Sequence, residues 1–167
     1  MRFLTAFYSI LEDKEIIIKG SKRMHERPIY PLIDCLKLMG ADISYLEKDG
    51  FPPIKIKGKK LNFNKVQISS NVSSQFVSAI LLVAPKLIGG LVIELKGKLI
   101  SKPYIEMTLS LLNDLGIKTS FKGKLIKVEN LEKLQQKHIC VESDWSSASY
   151  WYSIVALSDG AEVGLKN

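Results

Sequence analysis

The sequence contains only two cysteines and two histidines among its 167 residues. Cys35 lies in an apolar helical run and Cys140 in a short apolar run typical of a strand, so both are predicted to be buried thiols outside any disulfide. His25 and His138 have no ligand partner at the spacing of a metal site. The composition therefore predicts a protein without a disulfide framework, a metal ion or a cofactor.

Long hydrophobic runs are also absent. No apolar segment approaches the roughly 20 residues that a helix needs to span a bilayer. The apolar run at residues 1–8 is short and is followed by no small-residue cleavage site, so it is interpreted as the tail of a helix and not as a signal peptide. We therefore expect a soluble, cytoplasmic protein with no membrane partner.

Acidic residues are fewer than basic ones, 17 against 24, and the net charge is +7. This excess favours an anionic partner, although a solvated lysine-rich surface would give the same charge. A basic α/β module that binds RNA is one alternative. The sequence has neither an aromatic ladder nor a glycine-rich basic tract, so no nucleic-acid partner is predicted.

The chain does contain an internal repeat. The pattern NVSSQF at 71–76 recurs 73 residues later as the related pattern DWSSAS at 144–149. Each copy follows a β-rich run, which at 139–141 predicts a strand, and each leads into an apolar helical run. At the same offset, residues 2–6 align with residues 75–79. The chain is therefore predicted to open inside one repeat unit, complete a second and stop inside a third.

The complete unit, residues 66–128, is predicted to run strand–helix–strand–helix–strand–strand, which places the fold in the α/β (α+β) class. Pro28 and Pro103 are each predicted to open a helix at its first position, and Gly40 and Gly116 to end those helices. Parallel helices are expected inside, with their N-termini at one edge and the sheets outside. The apolar positions expected to form the interior include Leu32, Leu36, Ile80, Ile105 and Leu109.

Serines stand at two of the predicted helix starts. Ser73 and Ser74 begin one helix, and Ser101 precedes the next. A helix N-terminus has free backbone N–H groups and a partial positive charge, so three converging hydroxyls there would suit a phosphate. Arg27 opens the equivalent helix of the preceding unit and could add a bidentate contact. For any one of these serines alone, capping of its own helix is the alternative.

Three further polar residues lie near predicted helix starts. Gln75 and Tyr104 are placed where they could flank a bound ring, although ordinary packing would also explain Tyr104. Asp144 is predicted to cap its helix, because a carboxylate at that position would repel a phosphate.

Five motifs in this order and spacing resemble the 3-phosphoshikimate 1-carboxyvinyltransferase (EPSP synthase) family over nearly the whole chain. The motifs are KRMHERP at 22–28 with Pro31, GFPP at 50–53, VSSQF at 72–76, SKPYI at 101–105 and ESDWSSASY at 142–150.

The resemblance implies an enolpyruvyl transferase fold of two lobes, each built from three strand–helix repeats, with substrates in the cleft between them. It implies that Ser73, Ser74 and Ser101 hold the phosphate of shikimate 3-phosphate and that Gln75 and Tyr104 line its ring. It further implies that Arg27 holds the phosphate of phosphoenolpyruvate, with supporting roles for Asp144 and Arg2.

The resemblance also implies that the chain is the central section of a longer enzyme. Residues 1–141 would belong to the substrate-binding lobe, and residues 142–167 to the crossover and the start of the second lobe. The family's proton-transfer residues have no counterpart here, so we expect no catalytic residue within the chain, weak substrate binding and no turnover without the other lobe. The alternative within the same fold is an enolpyruvyl transferase that acts on UDP-N-acetylglucosamine.

Overall fold

The computed structural model describes residues 1–69, 73–97, 102–133, 136–141 and 143–166. Its chain divides into two compact units, residues 1–135 and residues 136–167. The lobe boundary predicted between residues 141 and 142 concerns the intact enzyme and stays a prediction.

The first unit alternates short strands with helices, as the periodicity predicts. Its first half comprises α1 (Arg2–Ser9), β1 (Glu15–Ile18), the short α2 (Lys22–His25), α3 (Tyr30–Leu38), β2 (Asp42–Tyr45) and β3 (Ile54–Lys57). Its second half comprises β4 (Lys65–Ser69), α4 (Ser74–Val83) with a 3-10 turn (Ala84–Lys86), β5 (Leu91–Lys96), α5 (Lys102–Asp114), β6 (Thr119–Lys122) and β7 (Leu125–Val128). None of the helices in the described ranges is long and apolar enough to cross a membrane.

The strand order confirms the internal repeat in this unit. The first sheet has the order β1-β3-β2 and the second has the order β4-β5-β7-β6. The run β1–α3–β2–β3 therefore has the same topology as the run β5–α5–β6–β7, with antiparallel pairing at the equivalent places. The second sheet gains β4, which pairs in parallel with β5.

Strand direction places the starts of α4 and α5 at one edge of the second sheet. β4 and β5 are parallel, and both β5 and β6 are antiparallel to β7, so β4, β5 and β6 all run the same way. α4 connects β4 to β5 and α5 connects β5 to β6, so both helices run back against the strands. Ser69 and Lys96, the last residues of β4 and β5, are register partners, so the two strands end side by side at the same edge of the sheet.

α4 is the central element of the core. It packs against α1, α3 and α5, and seven of its residues are buried. In β4 and β7 buried and exposed residues alternate, so one face of the sheet covers the helices and the other faces water. The five positions expected in the interior are all at most 5% exposed, which confirms their prediction.

Glycine ends both repeated helices, as predicted. Gly40 has a φ of 101° and Gly116 a φ of 85°. In each case the glycine N–H and the next N–H donate back to the last turn, at 2.8–3.0 Å. This is the hydrogen-bond pattern of a Schellman motif, and it satisfies carbonyls that the helix itself leaves free.

The prediction for Pro28 is wrong. α3 begins at Tyr30, with Pro31 as its second residue, and Pro28 precedes it. The carbonyl of Gly50 accepts from the N–H groups of Ile29 at 2.9 Å and Tyr30 at 3.2 Å. The distant Gly50 loop therefore decides where the helix starts. Pro31 fits the first turn because it has no N–H to satisfy.

In the second unit, α6 (Trp145–Leu157) forms as predicted, but the strand at 139–141 does not. Residues 139–141 have no regular structure, and Cys140 is exposed although we predicted it to be buried. An apolar run becomes a strand only where a partner strand takes up its backbone hydrogen bonds, and the described residues provide none here. Cys35, by contrast, is buried as predicted.

Candidate functional site

The first residues of α1 and α4 meet in the first unit. The Arg2 guanidinium donates a hydrogen bond from Nη1 to Oε1 of Gln75. Its Cζ also lies 5.0 Å from the centre of the Phe76 ring, a cation–π contact. Arg2 and Gln75 are aligned in the internal repeat, so the two helices come together at equivalent positions.

Ser73 and Ser74 begin α4 beside this contact. The Ser73 hydroxyl oxygen accepts from the Gln75 N–H at 3.4 Å, and the Ser73 carbonyl accepts from the Phe76 N–H at 2.9 Å. Ser73 is therefore an N-cap, but its side-chain hydrogen bond is longer than the usual 2.7–3.2 Å. Because Ser73 is exposed and Ser74 half-buried, both remain accessible from solvent.

Arg27 contributes a second positive charge. The pKa of Arg2 is lowered, mainly by its partial burial and to a smaller extent by the positive charge of Arg27. Within the described residues, no carboxylate forms an ion pair with either arginine. A guanidinium group without a carboxylate partner beside the start of α4, as Arg2 is, favours an anionic ligand.

Tyr104 lies in the first turn of α5 and is 61% exposed. One turn later, the buried Thr108 hydroxyl is 2.8 Å from the Ser78 hydroxyl of α4 and donates to the Tyr104 carbonyl at 2.9 Å. Ser74 and Tyr104 precede this pair by one turn each, so they lie at the same end of the α4–α5 contact. Ser101 lies outside the described residues.

Asp144 is in the second unit. It caps α6: its Oδ1 accepts from the Ser146 N–H at 2.8 Å and its Oδ2 from the Ser147 hydroxyl at 3.1 Å. These hydrogen bonds lower the pKa of the Asp144 carboxyl. The capping role predicted for Asp144 is confirmed.

Phe76 and the Ser78–Thr108 pair support the site but were not among the predicted site residues. A signal for the pair was present, since each hydroxyl lies within the apolar stripe of its helix. Polar side chains on a buried stripe are usually hydrogen-bonded to a partner. Which partner they have depends on how α4 and α5 pack, which sequence periodicity does not specify.

The groups that the structure brings together at the start of α4 have the chemistry that suits an anion. They are the Arg2 guanidinium, the Ser73 and Ser74 hydroxyls, the Gln75 amide and the free N–H groups of the helix start. No group of three or more histidine, cysteine or acidic residues within the described ranges is arranged to hold a metal ion.

Comparisons with known proteins agree on one family. The family model described as EPSP synthase (3-phosphoshikimate 1-carboxyvinyltransferase) matches residues 1–167. A 3-phosphoshikimate 1-carboxyvinyltransferase of Bacteroides fragilis is 42% identical over 169 residues, covering 99% of this chain and 40% of that protein. One from Actinobacillus pleuropneumoniae is 39% identical over 167 residues, covering 98% of this chain and 39% of that protein.

A solved structure agrees with the sequence matches. EPSP synthase from Acinetobacter baumannii superposes with a TM-score of 0.72 at 27% identity, covering 96% of this chain and 35% of that one. The chain thus spans about 40% of the length of the curated relatives that it matches.

Proposed function

The chain belongs to the EPSP synthase family, and on that premise we propose that it contributes substrate-binding residues to an enzyme that transfers the enolpyruvyl group of phosphoenolpyruvate to the 5-hydroxyl of shikimate 3-phosphate. The observation that carries this proposal is Arg2, which no described carboxylate neutralises and which is hydrogen-bonded to Gln75 beside the serine-bearing start of α4. The positive charge of Arg27 also acts on Arg2. Both substrates of this reaction are phosphate esters, so both need such a site.

Each residue has a role in this proposal. Ser73, Ser74 and Ser101 donate hydrogen bonds to the phosphate of shikimate 3-phosphate, and Arg27 binds the phosphate of phosphoenolpyruvate. Gln75 and Tyr104 line the shikimate ring. Asp144 has a supporting role through the cap of α6, and Arg2 a supporting role beside Gln75.

The proposed reaction needs proton transfer as well as binding. The methylene carbon of phosphoenolpyruvate gains a proton, and the 5-hydroxyl oxygen attacks the adjacent carbon while losing its own proton. The tetrahedral intermediate then loses phosphate and a methyl proton, which restores the double bond. An acid and a base must stand near that carbon. Of the residues assigned above, Asp144 has the only carboxylate, and both its oxygens are used in the cap of α6. The others supply cations, hydroxyls and an amide, so we expect no turnover by the 167-residue chain alone.

The partners in this proposal are the two substrates and the second lobe of the same enzyme. No cofactor is required, because both reacting groups are present in the substrates. The setting is the cytoplasm, within aromatic amino-acid biosynthesis by the shikimate pathway.

The binding role is tested by titrating the chain with shikimate 3-phosphate, followed by NMR shifts. We expect dissociation constants of about millimolar, and binding of unphosphorylated shikimate at least about tenfold weaker, because charge-assisted hydrogen bonds to the phosphate are lost. Ser73→Ala should weaken binding. Ser110→Ala, on an exposed position of α5, is the matched control and should leave it unchanged.

Two results would contradict the proposal. Equal affinity for shikimate and for shikimate 3-phosphate would show that the chain has no phosphate-binding site. Tighter binding of UDP-N-acetylglucosamine than of shikimate 3-phosphate would assign the chain to a transferase with that other acceptor.

A further inference from the structure

The side-chain amide of Gln75 is held in one orientation. An amide has an oxygen that accepts hydrogen bonds and an NH₂ group that donates them. Arginine has only donors, so the atom that faces Arg2 must be the Gln75 oxygen, Oε1. The NH₂ group of Gln75 is therefore on the side turned away from Arg2.

Arg2 itself is held by its surroundings. It is the first residue of α1, and its guanidinium lies over the Phe76 ring, with Cζ 5.0 Å from the ring centre. Phe76 is only 5% exposed, so the ring is a fixed surface. No described carboxylate pairs with Arg2, so its hydrogen bond to the neutral Gln75 oxygen leaves its charge uncompensated.

We propose that Arg2 is a positioning residue that fixes the amide of Gln75 so that its NH₂ group, and not its oxygen, is presented to the anionic substrate. This inference rests on the proposed function, because it takes shikimate 3-phosphate as the ligand beside Gln75. An amide in the opposite orientation would turn its oxygen toward the ligand, and that oxygen cannot donate a hydrogen bond to an anionic substrate. If the Gln75 amide rotated freely, it would have its oxygen toward the ligand for part of the time, and its contribution to binding would be smaller.

A direct role for Arg2 is the competing explanation. If Arg2 touched the phosphate itself, its removal would weaken binding whether or not Gln75 were present. If Arg2 acts through Gln75, its removal should have little effect once Gln75 has no amide. A double-mutant cycle separates the two roles.

The first measurement needs no ligand. In the full 167-residue chain with a C-terminal tag, the ¹H–¹⁵N NOE of the Gln75 side-chain NH₂ should be high and should fall in Arg2→Gln. Gln67, whose NH₂ group donates to Glu94 at 2.9 Å, is the internal control and should not change. Arg23→Gln removes the same charge from an exposed arginine of α2 and should leave Gln75 unaffected.

The second measurement is the dissociation constant of shikimate 3-phosphate for Arg2→Gln, Gln75→Met and the double variant. Each single change should weaken binding about fivefold relative to Arg23→Gln, the size of one net hydrogen bond. The double variant should bind within about twofold of Gln75→Met alone.

The outcomes are distinct. An unchanged Gln75 NOE in Arg2→Gln would overturn the positioning role. Single effects that multiply in the double variant would overturn it in favour of direct contact. If the NOE falls but the wild-type chain binds no shikimate 3-phosphate, the proposed substrate site fails and the presentation of Gln75 to that substrate fails with it.

Discussion

The buried hydroxyl pair between α4 and α5 allows a directional stability prediction. Thr108 has one hydroxyl proton, and it donates that proton to the Tyr104 carbonyl at 2.9 Å. Ser78 must therefore be the donor in the 2.8 Å contact between the two hydroxyls, and Thr108 the acceptor. Both residues are only 6% exposed, so water does not replace a lost partner.

The two single variants should consequently differ. Ser78→Ala removes a donor and leaves Thr108 bonded to the Tyr104 carbonyl, so it should lower the free energy of unfolding by about 1 kcal/mol. Thr108→Val keeps the shape but leaves the Ser78 hydroxyl without its acceptor, so it should cost about 2 kcal/mol. In the double variant no buried donor is left unpaired, so its loss should be smaller than the sum by about 1 kcal/mol.

The assay is urea unfolding followed by far-ultraviolet circular dichroism or by NMR signals from α4 and α5. Tryptophan fluorescence is unsuitable, because Trp145 and Trp151 are both in the second unit. Ser110→Ala, on the exposed side of α5, is the control and should stay within about 0.5 kcal/mol of the wild type.

Equal losses in the two single variants, with strict additivity in the double variant, would refute this reasoning. That result would mean that Ser78 bonds a carbonyl of its own helix whenever Thr108 is absent, as serines in helices can do. The contact between the hydroxyls would then contribute nothing of its own.

Three further predictions concern other parts of the chain. Gly90→Ala should lower the free energy of unfolding by more than about 2 kcal/mol, because Gly90 has a φ of 72° and an added Cβ would lie 2.1 Å from a carbonyl oxygen. Gly123→Ala, with a φ of 60° and open space around it, should cost only about 1 kcal/mol in the same urea unfolding experiment. Asp144 has a lowered pKa in the folded chain, so its stabilisation of α6 should be present above the unfolded-state pKa of about 3.9 and lost as the pH falls through the folded pKa. Helicity of the Asp144→Asn variant, measured by circular dichroism, should lack that acid transition. A thiol reagent at pH 8 should label Cys140 rapidly and leave Cys35 unlabelled until the chain unfolds, because burial raises the pKa of Cys35 to about 12. Rapid labelling of both thiols in the native protein would contradict this.

Features set by neighbouring residues were predictable from the sequence. Gly40 and Gly116 end their helices because only glycine adopts the left-handed conformation without strain, and this depends on one residue and the turn before it. Asp144 caps α6 for an equally local reason, since its carboxylate reaches the second N–H of its own helix. The order of strands and helices follows from hydrophobic periodicity, which is also a local property.

Packing between distant segments decided the rest. The start of α3 depends on the carbonyl of Gly50, twenty residues beyond it, and not on Pro28. The apolar run at 139–141 forms no strand because a strand exists only with a partner for its backbone groups.

The candidate site shows the same division. The sequence by itself identifies the residue types that suit a phosphate, including Ser73, Ser74 and Arg27, because helix starts and cationic side chains are chemically recognisable. It does not specify that Arg2 meets Gln75 across 73 residues or that Ser78 meets Thr108 across 30. Those contacts arise only when α1 and α5 pack against α4. The free energy of that packing comes from burying whole apolar helix faces. The polar contacts form where the packed faces bring the two side chains together.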